Sequence, residues 1–183
     1  MNDLRKTERL MRKAQKLAEA MRKQNFSVEI CRDKQEAMER VLSSVPQDKS
    51  VSCGTSSALI ELELPELLKE RGYQYIEWNR QTPLQESCDR LEQMMHSDVF
   101  VTDIHAVTKK GTLVLSGNTG SQIAAMAFGA GEVIVMAGMN KVCRNERAAM
   151  KYARTSERGS NYVMLVNGCV IPGRIRVILA AAI

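Results

Sequence analysis

Four short stretches bring hydroxyls, a carboxylate, an imidazole and an ammonium to places where the chain turns. In "SCGTSS" (52–57), Gly54 lets backbone approach a ligand closely. Thr55, Ser56 and Ser57 put hydroxyls where the free N–H groups of a following helix would favour an anion. A Ser/Thr helix cap with a turn glycine accounts for the same residues equally well. Cys53 offers a sulfur nucleophile, but no histidine is near it in sequence, and an inert buried thiol fits the strand before it better. In "TDIHAVT" (102–108), Asp103 and His105 are two residues apart and share a face of an extended segment, so they could relay a proton. Paired structural polar groups at a strand end would show the same spacing.

The other two stretches flank an Ala/Met-rich run. "SGNTGS" (116–121) precedes a segment that is apolar nearly all round (Ile123, Ala124, Met126, Phe128). That pattern predicts a buried helix whose free N–H groups are met by Asn118 or Thr119, or by a bound anion near Gly120 and Ser121. "GMNK" (138–141) ends on Lys141, ahead of an expected helix. A cation there opposes the macrodipole by ~0.3–1 kcal/mol, which points to a compensating anion. A solvated surface lysine is equally consistent with so small a term. Gly129-Ala130-Gly131 lies between a helix and a strand, so it reads as a helix C-cap and not a dinucleotide fingerprint, which follows a strand. No P-loop pattern occurs.

These stretches need a scaffold, and hydrophobic periodicity supplies one. Residues 3–24 form an amphipathic helix with Leu4, Leu10, Met11, Ala14, Leu17, Ala18 and Met21 on one face, read as a docked arm whose basic face is solvated. Strands are expected at 26–31, 50–53, 73–78, 98–103 and 133–137, with "YVMLV" and "RIRVIL" as terminal strands. Asp33 caps a helix running to about Val45, a second opens at "GTSS", and Pro65 begins a third that ends near Gly72. Thr82-Pro83 opens another that ends near His96, and a last helix covers about 144–155. A hairpin over 106–116 turns at Lys110-Gly111. "VIVMA" lacks polar alternation, as expected of a strand covered on both faces. The fold class implied is α/β: a mostly parallel sheet with helices on both faces, in one domain spanning 1–183.

Bulk composition narrows the function classes. At 183 residues and 44% hydrophobic, the chain can bury a sizeable core. No apolar run approaches the ~20 residues needed to cross a bilayer. The net charge of +5 arises within residues 1–24, which hold eight Lys/Arg against three Asp/Glu; the remainder balances. A basic excess confined to one helix argues against nucleic acid as a partner. The charge-diluting Glu8 and Glu19 argue against a membrane surface. Five scattered cysteines without a C-x-x-C pair, and two histidines, show no metal-site spacing. Their odd number reads as reduced and cytoplasmic, and no cofactor is expected.

On "CGTSSALIELEL" and the block from Ser97 to Val142, the chain resembles the LUD-domain (lactate-utilisation domain) family. Ala106, Thr108, Gly111, Gly120, Asn140 and Lys141 stand at the family's Ala-x-Thr, Asp-Gly, Gly-Asn-Arg and Asn-Lys motifs, and the likeness runs to about residue 155. It implies a fold similar to ribose-phosphate isomerases and CoA transferases, and a role in oxidising lactate to pyruvate beside iron–sulfur partner proteins. The chain departs from the family at Gln122, where an arginine is usual, and at Cys53, where a glycine is. In its C-terminal part only Cys169 represents a frequent run of cysteines, and Arg176 stands where one of them is common.

The combined expectation is an accessory subunit binding a small anion: a carboxylate, a phosphate or a CoA-type ligand. Its site would comprise Cys53, Gly54, Thr55, Ser56, Thr108, Asn118, Thr119, Gly120, Ser121, Asn140 and Lys141, with Asp103 and His105 as the catalytic pair if there is one. One rival is a sugar-phosphate isomerase or acyl-CoA transferase; a transferase needs a glutamate nucleophile, which no strand-end loop offers. Another is an assembly module, which includes a homo-oligomer, acting through the basic helix and the apolar C-terminus.

Overall fold

The computed structural model describes residues 2–54, 56–77, 84–118, 120–156 and 160–182. A six-stranded sheet runs in the order β1-β10-β7-β4-β2-β3, where β1 is Ser27–Cys31, β2 Ser50–Cys53, β3 Gln74–Tyr75, β4 Val99–Asp103, β7 Glu132–Gly138 and β10 Ile175–Ala180. Every pairing in it is parallel. The last strand of the chain therefore lies inside the sheet, between the first strand and β7. Hydrogen-bonded on both sides and covered on both faces, this strand is apolar apart from Arg176, which pairs with acidic residues of the two flanking strands.

Alternation along these strands divides the core in two. On one face Val51, Val101, Ile134 and Ile178 meet α2 (Lys34–Ser44), α3 (Ser57–Glu61) and α4 (Leu64–Glu70) through Val41, Leu42, Leu59 and Leu68. On the other face Phe100, Val133, Val135 and Val177 pack against α1 (Asn2–Arg22) and a second, smaller sheet. That sheet runs β8-β5-β6-β9, from β5 (Ala106–Thr108), β6 (Leu113–Gly117), β8 (Val142–Cys143) and β9 (Tyr162–Val166). The expected hairpin is present as antiparallel β5 and β6, and Gly111 takes the positive φ its turn requires. Membership in a separate sheet was not expected, because four strands of two to five residues carry too little pattern to show which sheet they join. α7 (Glu146–Ser156) covers the small sheet through Ala149 and Ala153.

Helix α1 is more than a docked arm. Ala14, Leu17, Ala18 and Met21 are fully or almost fully buried in the main core. Burying the Leu and Met side chains alone contributes about 1.5–3 kcal/mol each. No helix among the described residues is long and apolar enough to cross a membrane. The strand expected over 73–78 is reduced to Gln74–Tyr75, and Trp78 lies outside the described residues, as does Thr82-Pro83 ahead of α5 (Leu84–Met95).

Two expectations about the Ala/Met run need correction. It forms α6 (Ser121–Ala124) continued by a π-helical turn, Ala125–Gly129; Ala125 and Met126 are buried, but Phe128 is 88% exposed. An apolar composition on all sides did not mean burial on all sides. The Gly129-Ala130-Gly131 stop does cap the helix, at Ala130, whose N–H donates to the Ala125 carbonyl, but neither glycine takes the positive φ of a left-handed cap. A Cβ on Gly129 would collide with the Met95 carbonyl, and one on Gly131 would come within 3.0 Å of the Asp98 carbonyl. These glycines are small so that the end of α6 can pass close to the α5–β4 turn. Because the neighbour is backbone and cannot rotate away, Gly129→Ala is expected to cost about 2 kcal/mol, within the usual range for overpacking. Urea unfolding would measure it, and an unchanged midpoint would refute the close-approach explanation.

Candidate functional site

The carboxyl ends of β1, β10 and β7 finish level with one another, and β4 ends two residues short of β7. Cys31 of β1 pairs with Ala180 of β10, and Ala180 with Gly138 of β7; Asp103 of β4 pairs with Met136 of β7. The chain leaving β2 passes over one face of the sheet and the chain leaving β4 over the other, which opens a crevice at that edge. A cleft of about 180 Å³ lies there. Its floor is the strand ends Asp103, Met136, Ala137, Gly138 and Ala180. Its walls are Lys34 from α2, Ala58, Glu61 and Leu62 from α3 and its end, and Asn140 and Lys141 from the turn after β7.

Asp103 and Lys141 form the best-defined contact in it. Lys141 Nζ donates to Asp103 Oδ2 at 2.8 Å and to the Ile104 carbonyl at 2.6 Å, with side chains only 20% and 10% exposed respectively for Lys141 and Asp103. The sequence argument for an anion near Lys141 thus has an answer within the chain. Its premise does not hold, however: Lys141 closes a single 3-10 turn, Met139–Lys141, and β8 intervenes before α7. The cation that does begin a helix on this cleft is Lys34, the first residue of α2 after its cap, Asp33. Lys34 is exposed and has no ion pair among the described residues.

The remaining expected residues divide between other tasks. Ser56 caps α3, its hydroxyl accepting from the Leu59 N–H at 3.3 Å, and the Gly54 N–H donates to the Val101 carbonyl at 2.8 Å, so that amide is already committed to the sheet. Gly54 packs beside Thr102 and Gln122, where a Cβ would stand 2.9 and 3.2 Å from their side-chain oxygens. The "SCGTSS" loop therefore meets the first turn of α6, at Gln122 directly after "SGNTGS", and neither Gly54 nor Gln122 lines the cleft. Gly120 takes positive φ before α6 with the Tyr162 ring 3.5 Å from where its Cβ would be, the Asn118 carbonyl accepts from Asn161, and Ser121 opens the helix. Thr55 and Thr119 lie outside the described residues. Thr108 belongs to the hairpin turn, its Oγ1 accepting from the Thr112 N–H at 3.1 Å.

His105 is not part of the cleft lining that holds Asp103. Its Nδ1 accepts the Ser116 N–H at 3.1 Å, so that nitrogen carries no proton and the ring is turned toward β6. Cys53 is buried, and burial pushes its thiol far above the ordinary range, so it is no thiolate nucleophile. Arg176, where the family often has cysteine, bridges Glu132 at 3.2 Å and Glu29 at 3.3 Å across β7 and β1. Sequence reasoning missed Lys34 and Glu61. The loop after β1 shows no glycine or hydroxyl signal, and only the sheet order places it beside β10. Glu61 reaches the cleft from a helix and not from a strand-end loop.

An α/β protein with a doubly covered parallel sheet and a cleft at its strand ends is the class these features define. The LUD domain family matches residues 14–181, and the chain belongs to that family. The match carries the likeness past residue 155, through β9 and β10. A DUF162 family protein from Deinococcus radiodurans shares the fold, with a TM-score of 0.59 and 14% identity over 95% of this chain and 98% of that one. Ribose 5-phosphate isomerase A from Methanocaldococcus jannaschii superposes on 60% of the chain and 53% of its own, with a TM-score of 0.40 and 15% identity. Ribose 5-phosphate isomerase from Plasmodium falciparum covers 60% and 51%, at 0.39 and 16%. No protein of curated function matches the chain.

Two measurements check the site chemistry. Removing either member of the shielded Asp103–Lys141 pair leaves a charge with little water around it. Asp103→Asn and Lys141→Met are each expected to destabilise the fold by on the order of 3 kcal/mol. The double variant should recover part of that loss, and strict additivity in the cycle would show that the pair is not coupled. Alkylation of the native protein with iodoacetamide at mildly alkaline pH should label exposed Cys88 and spare Cys53. Rapid labelling of Cys53 would contradict its burial.

Proposed function

We propose that this LUD-domain chain is a ligand-binding, accessory component in the oxidation of lactate to pyruvate, holding a small carboxylate in the cleft at the strand ends. The observation that carries this reading is the unequal state of the two lysines on the cleft. Lys141 is fixed by Asp103, whereas Lys34 has no ion pair among the described residues and stands against the dipole of its own helix. A ligand carboxylate would supply the missing counter-charge. Asn140 and Lys141 would orient its polar groups against the apolar wall of Leu62, Met136 and Ala180.

Cleft size favours the small acid among the anions considered. Sites for drug-sized ligands run to about 300–1,000 Å³, and 180 Å³ is too little to enclose a CoA thioester. An enzyme of related fold is the second reading. It draws on Asp103 and Glu61, two carboxylates on the same cleft, the first suited to proton transfer and the second to acyl transfer.

Thermal unfolding with lactate, pyruvate, phosphate, sugar phosphates and acyl-CoA separates these readings. At a hundredfold excess over Kd the true ligand stabilises by about 2.7 kcal/mol. Lactate or pyruvate is expected to give that shift, and Lys34→Ala, at an exposed position, to remove it without lowering the unliganded midpoint. A response confined to sugar phosphates or acyl-CoA, with turnover abolished by Asp103→Asn or Glu61→Gln, would replace the accessory reading by the enzymatic one. No response to any compound would sink both.

A further inference from the structure

A second cavity, of about 500 Å³, lies on the opposite side of the turn that carries Asn140 and Lys141. It shares no lining residue with the cleft. The turn contributes Asn140 and Lys141 to the cleft and its outer members, Met139 and Val142, to this groove. The rest of the lining comes from α1 and the β5–β6 hairpin. Leu10 and Leu17 lie seven residues apart on one stripe of α1, and Lys13, Lys16 and Lys109 stand at the rim.

The groove follows from how α1 is seated. Near its C-terminal end α1 is fastened to the hairpin: Gln24 Nε2 donates to the Lys110 carbonyl at 2.9 Å, and Gly111 sits against Met21. Among the described residues no hydrogen bond joins the hairpin to the Leu10–Leu17 stretch, and Leu10, Met139 and Val142 are half-covered there. The three rim lysines are exposed, and none has an ion pair among the described residues; no aspartate or glutamate lines the groove. These lysines belong to the basic excess of residues 1–24, extended by one residue from the hairpin. That excess is therefore not merely a solvated helix face.

We propose that this groove is a binding site for a soluble aliphatic anion, a molecule with an extended alkyl chain ending in a phosphate. The floor is aliphatic and thioether, without the aromatic faces that a nucleobase would stack on, so it suits a flexible chain. Each methylene buried there contributes about 0.8 kcal/mol. Lysine ammoniums act as point charges on phosphate oxygens, and three of them at one rim match a headgroup carrying more than one negative charge. Exposed lysine pairs are individually weak, so neither chain nor headgroup alone should bind well. The volume lies within the ~300–1,000 Å³ of small-molecule sites.

Calorimetry with octyl phosphate below its micelle threshold tests the proposal, with inorganic phosphate and octanol as the charge-only and chain-only controls. Octyl phosphate is expected to bind at least about tenfold more tightly than either control, a difference of ~1.4 kcal/mol. Replacing Lys13, Lys16 and Lys109 together by alanine should remove that advantage while leaving the unfolding midpoint unchanged, because all three are exposed. Leu10→Trp, which fills the groove without touching the charges, should weaken octyl phosphate and not inorganic phosphate. Lys34→Ala in the cleft should have no effect, so failure here and failure of the carboxylate reading are separable. The proposal is overturned if octyl phosphate binds no better than phosphate, or if the triple variant binds it as well as the parent. Loss of binding on Lys34→Ala would overturn it by moving the ligand to the cleft. Sedimentation with phosphatidylserine vesicles without binding of monomeric octyl phosphate would overturn it in favour of a membrane surface.

Discussion

The parallel pairing of β10 with both β1 and β7 is the constraint on which everything else rests. It joins the last strand of the chain to the first, so the main sheet is complete only when residues 175–180 are in place. Those residues are buried or nearly so on both faces and supply Val177 and Leu179 to one core cluster and Ile178 and Ala180 to the other. Such non-local pairing carries a loop-closure cost that is repaid only once both cores form together. It also aligns Cys31, Ala180 and Gly138 at one level, which is what makes an edge at which a cleft can exist.

Once that edge exists, charge placement gives it character. Asp103 ends β4 facing the same side of the sheet as Met136 and Ala180, and Lys141 turns back from the end of β7 to meet it. The pair ties two neighbouring strand ends together and uses up the lysine that the sequence most strongly marked for a ligand. Of the two lysines lining the cleft, Lys34 is the one without an ion pair among the described residues. The turn from Met139 to Val142 carries residues toward two cavities of different chemistry, one small and mixed in charge, the other larger, aliphatic and rimmed by lysine alone. These four residues can serve both because 3-10 geometry puts Met139 and Val142, three apart, on one side and leaves Asn140 and Lys141 to the other.

Membership in the LUD-domain family and the shared fold of the Deinococcus protein agree with the α/β scaffold. Where this chain departs from the family, the replacements have structural work. Arg176 crosses from Glu29 to Glu132, Gln122 packs against Gly54, and Cys53 fills the apolar side of β2. These roles belong to the sheet and its packing, and none of the three residues lines the cleft.

Periodicity and local signals in the sequence were enough to determine that strands and helices alternate, and that Asp33 begins a helix and Gly111 turns a hairpin. Those properties are local: they depend on spacing of 2 or 3.6 residues, on caps and on φ. The sequence also marked Asp103, Asn140 and Lys141, which the structure gathers at one cleft. It could not order the strands, because hydrogen bonding between strands carries no local signature. Hence it could not bring Lys34 and Glu61 to that cleft, send Thr108 to a second sheet, turn the His105 ring toward β6, or distinguish the Ser56 cap from a ligand hydroxyl. Only the tertiary structure decided which side chains share a cavity, since that depends on contacts between residues far apart in the chain.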